Sequence, residues 1–301
     1  MTLIATDAAE KEHLYSEIFF SPQGEGRYTG IPTVWLRFFL CNLKCDGFGQ
    51  DDPSDPSTYD LPYKDFDLTG IETVEQLPVF ERGCDSSYSW AKRFKHLAKK
   101  ATAQELSDLL IDAITTNSNP LGEFVHPLSD QPIHLAFTGG EPMLNQDVIV
   151  DILRILERHT RLQHVTIETN GTKPFTDKFK QFMSETYLEV FMSVSPKLFN
   201  VSGEQNSRAI KPEVIAEYAQ YTFGQLKFVL SPTDIAWYEF SCVLQQLKEE
   251  GCDFPVWIMP VGATDAGQAN TAAAVAKRAI ENGYNVSARA HISLFGNKVG
   301  T

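Results

Sequence analysis

The chain has 301 residues, and its 43% hydrophobic and 22% charged content is typical of a globular protein with a substantial core. A formal net charge of −13 disfavours nonspecific binding to nucleic acid, because the phosphate backbone would repel the protein. The sequence contains no apolar run of the roughly 18 residues that a membrane-spanning helix needs. The first 20 residues also lack the basic start and apolar stretch of a signal peptide. We therefore expect a cytoplasmic protein that binds neither nucleic acid nor membrane.

Short apolar runs rich in β-branched and aromatic residues alternate with helical patterns along the chain. Thr102 and Glu105 form a capping-box pattern, which predicts a helix that begins at Thr102. The alternation of strands and helices predicts an α/β fold with mostly parallel strands, in a sheet that is open or closed into a barrel. The predicted strands are 33–40, 133–140, 164–171, 188–196, 225–232, 255–262 and 285–293. The other predicted helices are 147–159, 235–250 and 270–283.

Residues 46–83 do not follow this alternation, because they are rich in Asp, Pro, Gly and Ser. A loop of this length is usually functional or an insertion. We expect one domain over residues 1–301, interrupted by an insertion at about 46–83 that folds back on itself.

The five cysteines are odd in number and irregularly spaced, which argues against a disulfide framework. Cys41 and Cys45 form a CxxxC pair. A CxxxCxxC cluster loop would place a third cysteine at position 48, which is Phe48. From spacing alone, the pair is half of a metal site or two buried apolar residues. For Cys242 and Cys252 we expect small buried side chains.

The residues around the gap resemble the 7-carboxy-7-deazaguanine synthases, a family of radical S-adenosylmethionine enzymes. The resemblance runs from about Glu17 to the carboxyl terminus, mainly interrupted by 46–83. No motif is specific alone, but the ordered set is. The motifs are "SPQGEGRYTGIPTVWLRFFLCNLKC", "CDSSYSW" at 84–90, "TGGEP" at 138–142, "IETNGT" at 167–172, "SVSPK" at 193–197 and "HISLFGNKVGT" at 291–301.

This resemblance implies that Cys41, Cys45 and Cys84 bind three irons of a [4Fe–4S] cluster, leaving the fourth iron open for S-adenosylmethionine. Thiolates are soft ligands that suit such clusters. The chain departs from the family in two respects. Residues 46–83 replace the usual two-residue gap, and Gly83 replaces an aromatic residue, so Phe48 or Tyr88 is expected to contact the adenine instead.

The resemblance also assigns the S-adenosylmethionine and magnesium sites. The loop of "TGGEP" is expected near the methionine end of the cofactor, with a glutamate at its ribose and a lysine at a carboxylate. Ser86 occupies the position that binds Mg²⁺, which prefers oxygen ligands. The expected S-adenosylmethionine-binding residues are Gly139, Gly140, Glu141, Glu168, Ser195, Pro196 and Lys197.

For the substrate, the resemblance implies 6-carboxy-5,6,7,8-tetrahydropterin. Gln and Glu side chains can recognise the amide and amino groups of a pterin, and a guanidinium suits its carboxylate. His291 is equally well explained as a structural histidine. The expected substrate-binding residues are Pro22, Gln23, Gly24, Glu25, Arg37, Thr138, His291 and Thr301.

The implied fold is the partial (β/α) barrel of radical S-adenosylmethionine enzymes. The implied reaction is a radical ring contraction that gives 7-carboxy-7-deazaguanine and ammonia, as in queuosine-type biosynthesis. A homodimer and a flavodoxin- or ferredoxin-like reductant are also expected. Two alternatives stay open: another radical S-adenosylmethionine enzyme, such as a glycyl-radical activating enzyme, and a non-catalytic zinc-stabilised binding protein.

Overall fold

The computed structural model describes residues 11–296 and 298–301. Residues 1–10 lie outside this range. They are half of the amino-terminal stretch that lacks the features of a signal peptide. Asn297, within the final motif, also lies outside it. The described residues form one nine-stranded sheet in the order β3-β1-β2-β4-β5-β6-β7-β8-β9. The strands are β1 His13–Pro22, β2 Pro32–Phe38, β3 Lys99–Ala101, β4 His134–Gly139, β5 His164–Thr169, β6 Glu189–Val194, β7 Phe223–Leu230, β8 Val256–Pro260 and β9 Asn285–Val286.

The sheet is parallel from β2 through β9, whereas β1 pairs antiparallel with both β2 and β3. In the described chain β3 and β9 lie at opposite edges, so the sheet is open and does not close into a complete barrel. The expected mostly parallel α/β fold is confirmed, and it is consistent with a partial barrel.

Seven labelled helices connect or flank these strands in the described chain. They are α1 Ala103–Ile114, α2 Gln146–His159, α3 Asp177–Glu185, α4 Pro212–Tyr221, α5 Asp234–Glu249, α6 Ala272–Glu281 and α7 Ala290–Phe295. Short helical turns occupy Pro62–Asp65, Phe199–Ser202, Asn206–Ala209 and Asp265–Ala269. Turns of 3₁₀ helix occupy Gly26–Tyr28, Pro56–Thr58, Val74–Gln76, Ser87–Ser89, Lys92–Leu97 and Pro142–Asn145.

The predicted capping box begins α1: Thr102 N donates to Glu105 Oε2 at 2.7 Å, and Glu105 N donates to Thr102 Oγ1 at 3.3 Å. The apolar stripe of α1 then packs on the sheet, with Leu106 and Leu110 fully buried. The main core lies between the sheet and its helices, where burial of large apolar side chains stabilises the fold. It includes Phe137, Ile152, Phe179, Tyr218, Phe228 and Phe240.

One predicted strand is largely wrong. Only 285–286 of the predicted strand 285–293 are extended, and Ala290–Phe295 form α7. The reason is a tertiary contact: Ala290 N donates to Gly24 O at 2.8 Å, which holds this part of the chain at the loop after β1 instead of along β8. This segment therefore reaches the site described below.

Residues 46–83 have an apolar core of their own. Leu61, Tyr63 and Phe80 are buried together with Phe94 and Leu97, which follow the segment in the chain. The two ends of the segment meet, because Gly83 N donates to Phe48 O at 2.8 Å. Cys84 therefore returns to the vicinity of Cys45 after a long excursion. No helix of the described chain is both long enough and apolar enough to cross a membrane.

Candidate active site

A large cavity opens at the carboxyl-terminal ends of the parallel strands, where enzymes with barrel folds place their active sites. Most of the residues predicted to have a functional role line it. These are Pro22, Gln23, Gly24, Glu25, Arg37, Cys41, Cys45, Cys84, Ser86, Thr138, Gly139, Gly140, Glu168, Ser195, Lys197, His291 and Thr301. The two predicted residues that do not line the cavity are Glu141 and Pro196.

The loop after β2 carries Cys41 and Cys45 and is tightly constrained. Cys45 has a positive φ of 55°, and its amide N donates to Glu204 Oε1 at 2.9 Å. Leu43 N donates to Cys41 Sγ at 3.4 Å. A Cβ at Gly140 would overlap the carbonyl oxygen of Leu40, so this glycine lets "TGGEP" pack directly against the cysteine loop.

The three thiols line the cavity together, and two of them have pKa values that are raised mainly by burial, to about 12 for Cys41 and about 11 for Cys84. Burial likewise raises the pKa of Cys45. Each thiolate would also repel its neighbours, so a cation or metal cluster is required to hold all three as thiolates. In the described chain no group of three or more Cys, His, Asp or Glu residues has an arrangement that could hold a single metal ion. A cube of four irons differs from such a site, because each thiolate binds its own iron.

An unpartnered indole N–H supports the fit of this pocket to a cluster. Trp90 Nε1 is buried without an oxygen or nitrogen acceptor in the described chain. The Cys84 sulfur is nearby: Trp90 lowers the pKa of that thiol, although burial raises it by more. Cluster sulfurs commonly accept such hydrogen bonds. The three thiols and the orphaned donor therefore fit a [4Fe–4S] cluster.

Glu141 lies behind the cavity wall and is fully buried. Its carboxylate accepts hydrogen bonds from Thr169 Oγ1 at 2.6 Å, Asn170 N at 2.8 Å and Met143 N at 3.0 Å. Protein donors thus satisfy this carboxylate, and it connects "TGGEP" with the end of β5.

Five charged side chains form a continuous series of ion pairs in the cavity wall. Lys227, on β7, donates to Glu25 Oε2 at 2.6 Å and to Glu168 Oε2 at 2.8 Å. Arg289 donates from Nε to Glu25 Oε1 at 2.8 Å and from its Nη2 to Asp85 Oδ2 at 2.7 Å. Glu168 also accepts a hydrogen bond from Gln23 Nε2 at 3.1 Å.

Sequence reasoning missed three members of this series: Lys227, Arg289 and Asp85. Burial raises the pKa of Glu25, but the neighbouring Lys227 and Arg289 outweigh it and lower that pKa strongly. Burial lowers the pKa of Lys227, and here the two glutamates outweigh it and raise that pKa. One signal was available in the sequence, since Lys227 interrupts the buried strand "QLKFVL", where an unpaired charge would be costly.

Arg37, near the end of β2, is held from two sides. Its Nε donates to Glu17 Oε1 at 2.6 Å, and its Nη1 lies 3.3 Å from Ser86 Oγ. Tyr88 donates its hydroxyl to the same Glu17 oxygen at 2.8 Å, and its ring lies under the guanidinium. Arg37 and Ser86 are thus adjacent on the cavity wall, although 49 positions separate them in the chain.

The remaining predicted residues lie around the rim. His291 packs on Gly24, where a Cβ would overlap the imidazole. Lys197 donates to Ser195 Oγ at 2.9 Å, and its ammonium lies 5.8 Å from the centre of the Phe48 ring. Phe48 and Tyr88, the two candidates for the adenine contact, both line the cavity, as does the terminal Thr301.

No family model matches the chain. Some of the curated relatives named 7-carboxy-7-deazaguanine synthase match it over nearly their whole length. The relative from Halobacterium salinarum is 25% identical over 94% of this chain and 90% of its own. The relative from Rhodopirellula baltica is 26% identical over 98% and 91%. The chain is thus similar to the 7-carboxy-7-deazaguanine synthases over nearly its whole length.

Two further comparisons point to the same family and the same fold. The 7-carboxy-7-deazaguanine synthase of Nitratidesulfovibrio vulgaris is 32% identical, over 52% of this chain and 54% of its own. The crystal structure of QueE from Escherichia coli matches the fold with a TM-score of 0.52 at 17% identity, over 94% of this chain and 96% of that one. The names of these relatives denote an enzyme, which supports the main interpretation of the sequence over its two alternatives.

Proposed function

We propose that the protein is a 7-carboxy-7-deazaguanine synthase that converts 6-carboxy-5,6,7,8-tetrahydropterin into 7-carboxy-7-deazaguanine with release of ammonia. The observation that carries the proposal is the meeting of three elements on one cavity wall: the Cys41–Cys45 loop, Cys84 from beyond the long segment, and the adjacent Arg37 and Ser86. The alternative enzymes need the cluster, but they do not need a carboxylate-binding arginine beside it.

The cofactor half of the cavity is formed by the cysteines and by the loops after β4, β5 and β6. We propose that Cys41, Cys45 and Cys84 hold a [4Fe–4S] cluster, which together with S-adenosylmethionine supplies a 5′-deoxyadenosyl radical. Gly139 and Gly140 expose backbone to the methionine end, because neither has a Cβ that would block a close approach. Glu168 accepts from ribose hydroxyls. Ser195, Pro196 and Lys197 border the same space, and Glu141 positions the loop from behind.

The substrate half is formed by the loop after β1, by Arg37 and by the carboxyl-terminal segment. Arg37 is held by Glu17 and retains N–H groups that face Ser86. It is therefore placed to bind the pterin carboxylate where a Mg²⁺ bound by Ser86 would also meet it. Gln23 and Glu25 form hydrogen bonds with the amide and amino groups of the pterin. Pro22, Gly24, Thr138, His291 and Thr301 complete the substrate wall.

This division of labour explains what the polypeptide contributes to the reaction. The loss of ammonia leaves every other substrate atom in the product, so the conversion needs no net oxidant. The chain must hold the reacting carbon of the pterin against the radical source and exclude water, since geometry sets the effective concentration. On family resemblance, we also propose a homodimer and a flavodoxin- or ferredoxin-like electron donor.

Anaerobic reconstitution with iron and sulfide, followed by incubation with S-adenosylmethionine, dithionite, Mg²⁺ and the carboxytetrahydropterin, tests the function. We expect a brown protein and one deazaguanine product per substrate consumed, detected by mass spectrometry. Cys84→Ala should lose the cluster and the product, whereas Cys242→Ala, away from the cavity wall, should keep both. Formation of 5′-deoxyadenosine by wild-type protein without any deazaguanine would assign it another reaction of the superfamily.

A further inference from the structure

Lys227 connects the two halves of the cavity. Only 4% of its side chain is exposed, and it donates to Glu25 on the substrate side and to Glu168 on the cofactor side. A buried ammonium between two carboxylates fixes the distance between them. Its removal would leave two largely buried carboxylates, each 14% exposed, without their shared partner, which is unfavourable.

The connection extends beyond these two glutamates. Through Glu25 and Arg289 it reaches Asp85, which lies between Cys84 and Ser86. The three carboxylates and two cations leave one net negative charge on this chain of contacts. If either glutamate moves toward a ligand, Lys227 and the other charged residues in contact with it must adjust. The two ligand sites therefore do not respond independently.

We propose that Lys227 is a positioning residue that couples the binding of S-adenosylmethionine to the binding of the pterin substrate. The inference rests on the proposed function and adds the residue that makes the two sites cooperative. The ligand that binds first orders Glu168, Lys227 and Glu25 together. The second ligand then meets a carboxylate that is already fixed, and this gives positive coupling in both directions.

Equilibrium binding to reconstituted, oxidised protein tests this coupling, because without an electron donor S-adenosylmethionine is not cleaved. The dissociation constant of each ligand is measured anaerobically with and without a saturating amount of the other. In wild-type protein each ligand should tighten the binding of the other by roughly tenfold. In Lys227→Met the factor should fall to about twofold or less. The contact that would still join the two sides, among the described hydrogen bonds of Glu25 and Glu168, is the one that the Gln23 amide donates to Glu168.

Two variants separate coupling from a loss of structure. Lys180→Met removes a partly exposed lysine that pairs with Glu217, away from the cavity, and should keep the wild-type factor. Lys227→Arg retains the charge with altered geometry and should give an intermediate factor, which keeps the test available if Lys227→Met does not fold. A wild-type coupling factor in either Lys227 variant, or independent binding in wild-type protein, would overturn the inference. Failure of the proposed function looks different, since wild-type protein would then not bind the pterin.

Discussion

At the scale of single residues, Trp90 is unusual because a buried indole N–H without an oxygen or nitrogen acceptor is costly. The cost is removed if the acceptor is a cluster-bound thiolate at Cys84, which is a better acceptor than a neutral thiol. The 3₁₀ turn Ser87–Ser89 sets this contact, since Trp90 N donates to Ser87 O at 3.2 Å and so ends the turn.

Trp90→Phe should therefore lower the reduction potential of the cluster. A hydrogen bond to a cluster sulfur stabilises the reduced, more negatively charged state, and phenylalanine keeps the ring against Tyr63 but lacks the donor. A redox titration followed by electron paramagnetic resonance, without S-adenosylmethionine, measures the midpoint. Trp237→Phe is the matched control, because its indole donates to Ser231 O instead of facing the cavity. An unchanged midpoint in Trp90→Phe would contradict the assigned hydrogen bond.

Motif order predicted many of the residues that meet in the cavity, but it did not predict the contacts that hold them in place. Arg37 was expected at the site, yet its partner Glu17 is visible only because β1 and β2 pair antiparallel and place the two residues opposite each other. Lys227 and Arg289 come from β7 and the stretch before α7, and nothing in the spacing connects them to Glu25. Such long-range contacts depend on the fold and not on local pattern.

At the scale of secondary-structure elements, the segment 46–83 is both a folded unit and part of the cavity wall. Pro78, Val79 and Glu81 line the cavity, and between them Phe80 points into the segment's own core, where it is only 3% exposed. Phe80 contacts the rings of Tyr63, Phe66 and Phe94. Packing of this small core thus determines where the wall lies.

Phe80→Ala should loosen this wall without unfolding the barrel. Truncation of a buried phenylalanine costs about 3–5 kcal/mol, and here the loss falls on the small core around residues 46–83. We expect a shorter lifetime of the reconstituted cluster in air, followed by its visible absorbance, with little change in the thermal midpoint of the main core.

The matched control is Phe182→Ala, a buried phenylalanine on α3 that belongs to the main core. It should lower the thermal midpoint while its cluster decays at the wild-type rate at temperatures where the protein stays folded. Equal cluster lifetimes in Phe80→Ala and wild-type protein would show that the segment does not protect the site.

The sequence pattern predicted the central strands and the long helices well, because apolar runs and capping residues are local signals. It failed where tertiary contacts decide the conformation. The run 285–293 has strand-like composition, but hydrogen bonding to Gly24 turns most of it into a link and a helix. The strand His13–Pro22 was not predicted, although its pairing with Pro32–Phe38 positions Glu17 and Gln23.

At the scale of the whole molecule, the carboxyl-terminal and amino-terminal ends of the parallel strands differ in the residues that they carry. The carboxyl-terminal ends of the strands carry the cavity, and the amino-terminal ends carry a cluster of ionisable side chains that contributes to stability. His134 begins β4, and its ring stacks on that of His164 at the start of β5, with centroids 4.6 Å apart. Glu189, at the start of β6, lies 2.9 Å from His164 Nδ1, and Tyr28 packs edge-on against His134.

His134 should make the folded protein sensitive to acid. Burial, reinforced by His164, lowers the pKa of His134 from 6.5 to about 4. Between pH 6.5 and pH 4, His134 is protonated in the unfolded protein but stays neutral in the folded protein. The free energy of unfolding is therefore unaffected by this residue above pH 6.5 and decreases as the pH falls toward 4. The loss at pH 5 is roughly 2 kcal/mol.

His134→Gln should remove this contribution. The free energy of unfolding, measured by anaerobic urea unfolding, should then differ less between pH 7.5 and pH 5 than it does in wild-type protein. Comparison within each variant cancels the cost of the substitution itself. The exposed His159→Gln should keep the wild-type difference, and an equally large difference in His134→Gln would assign the acid sensitivity to other groups.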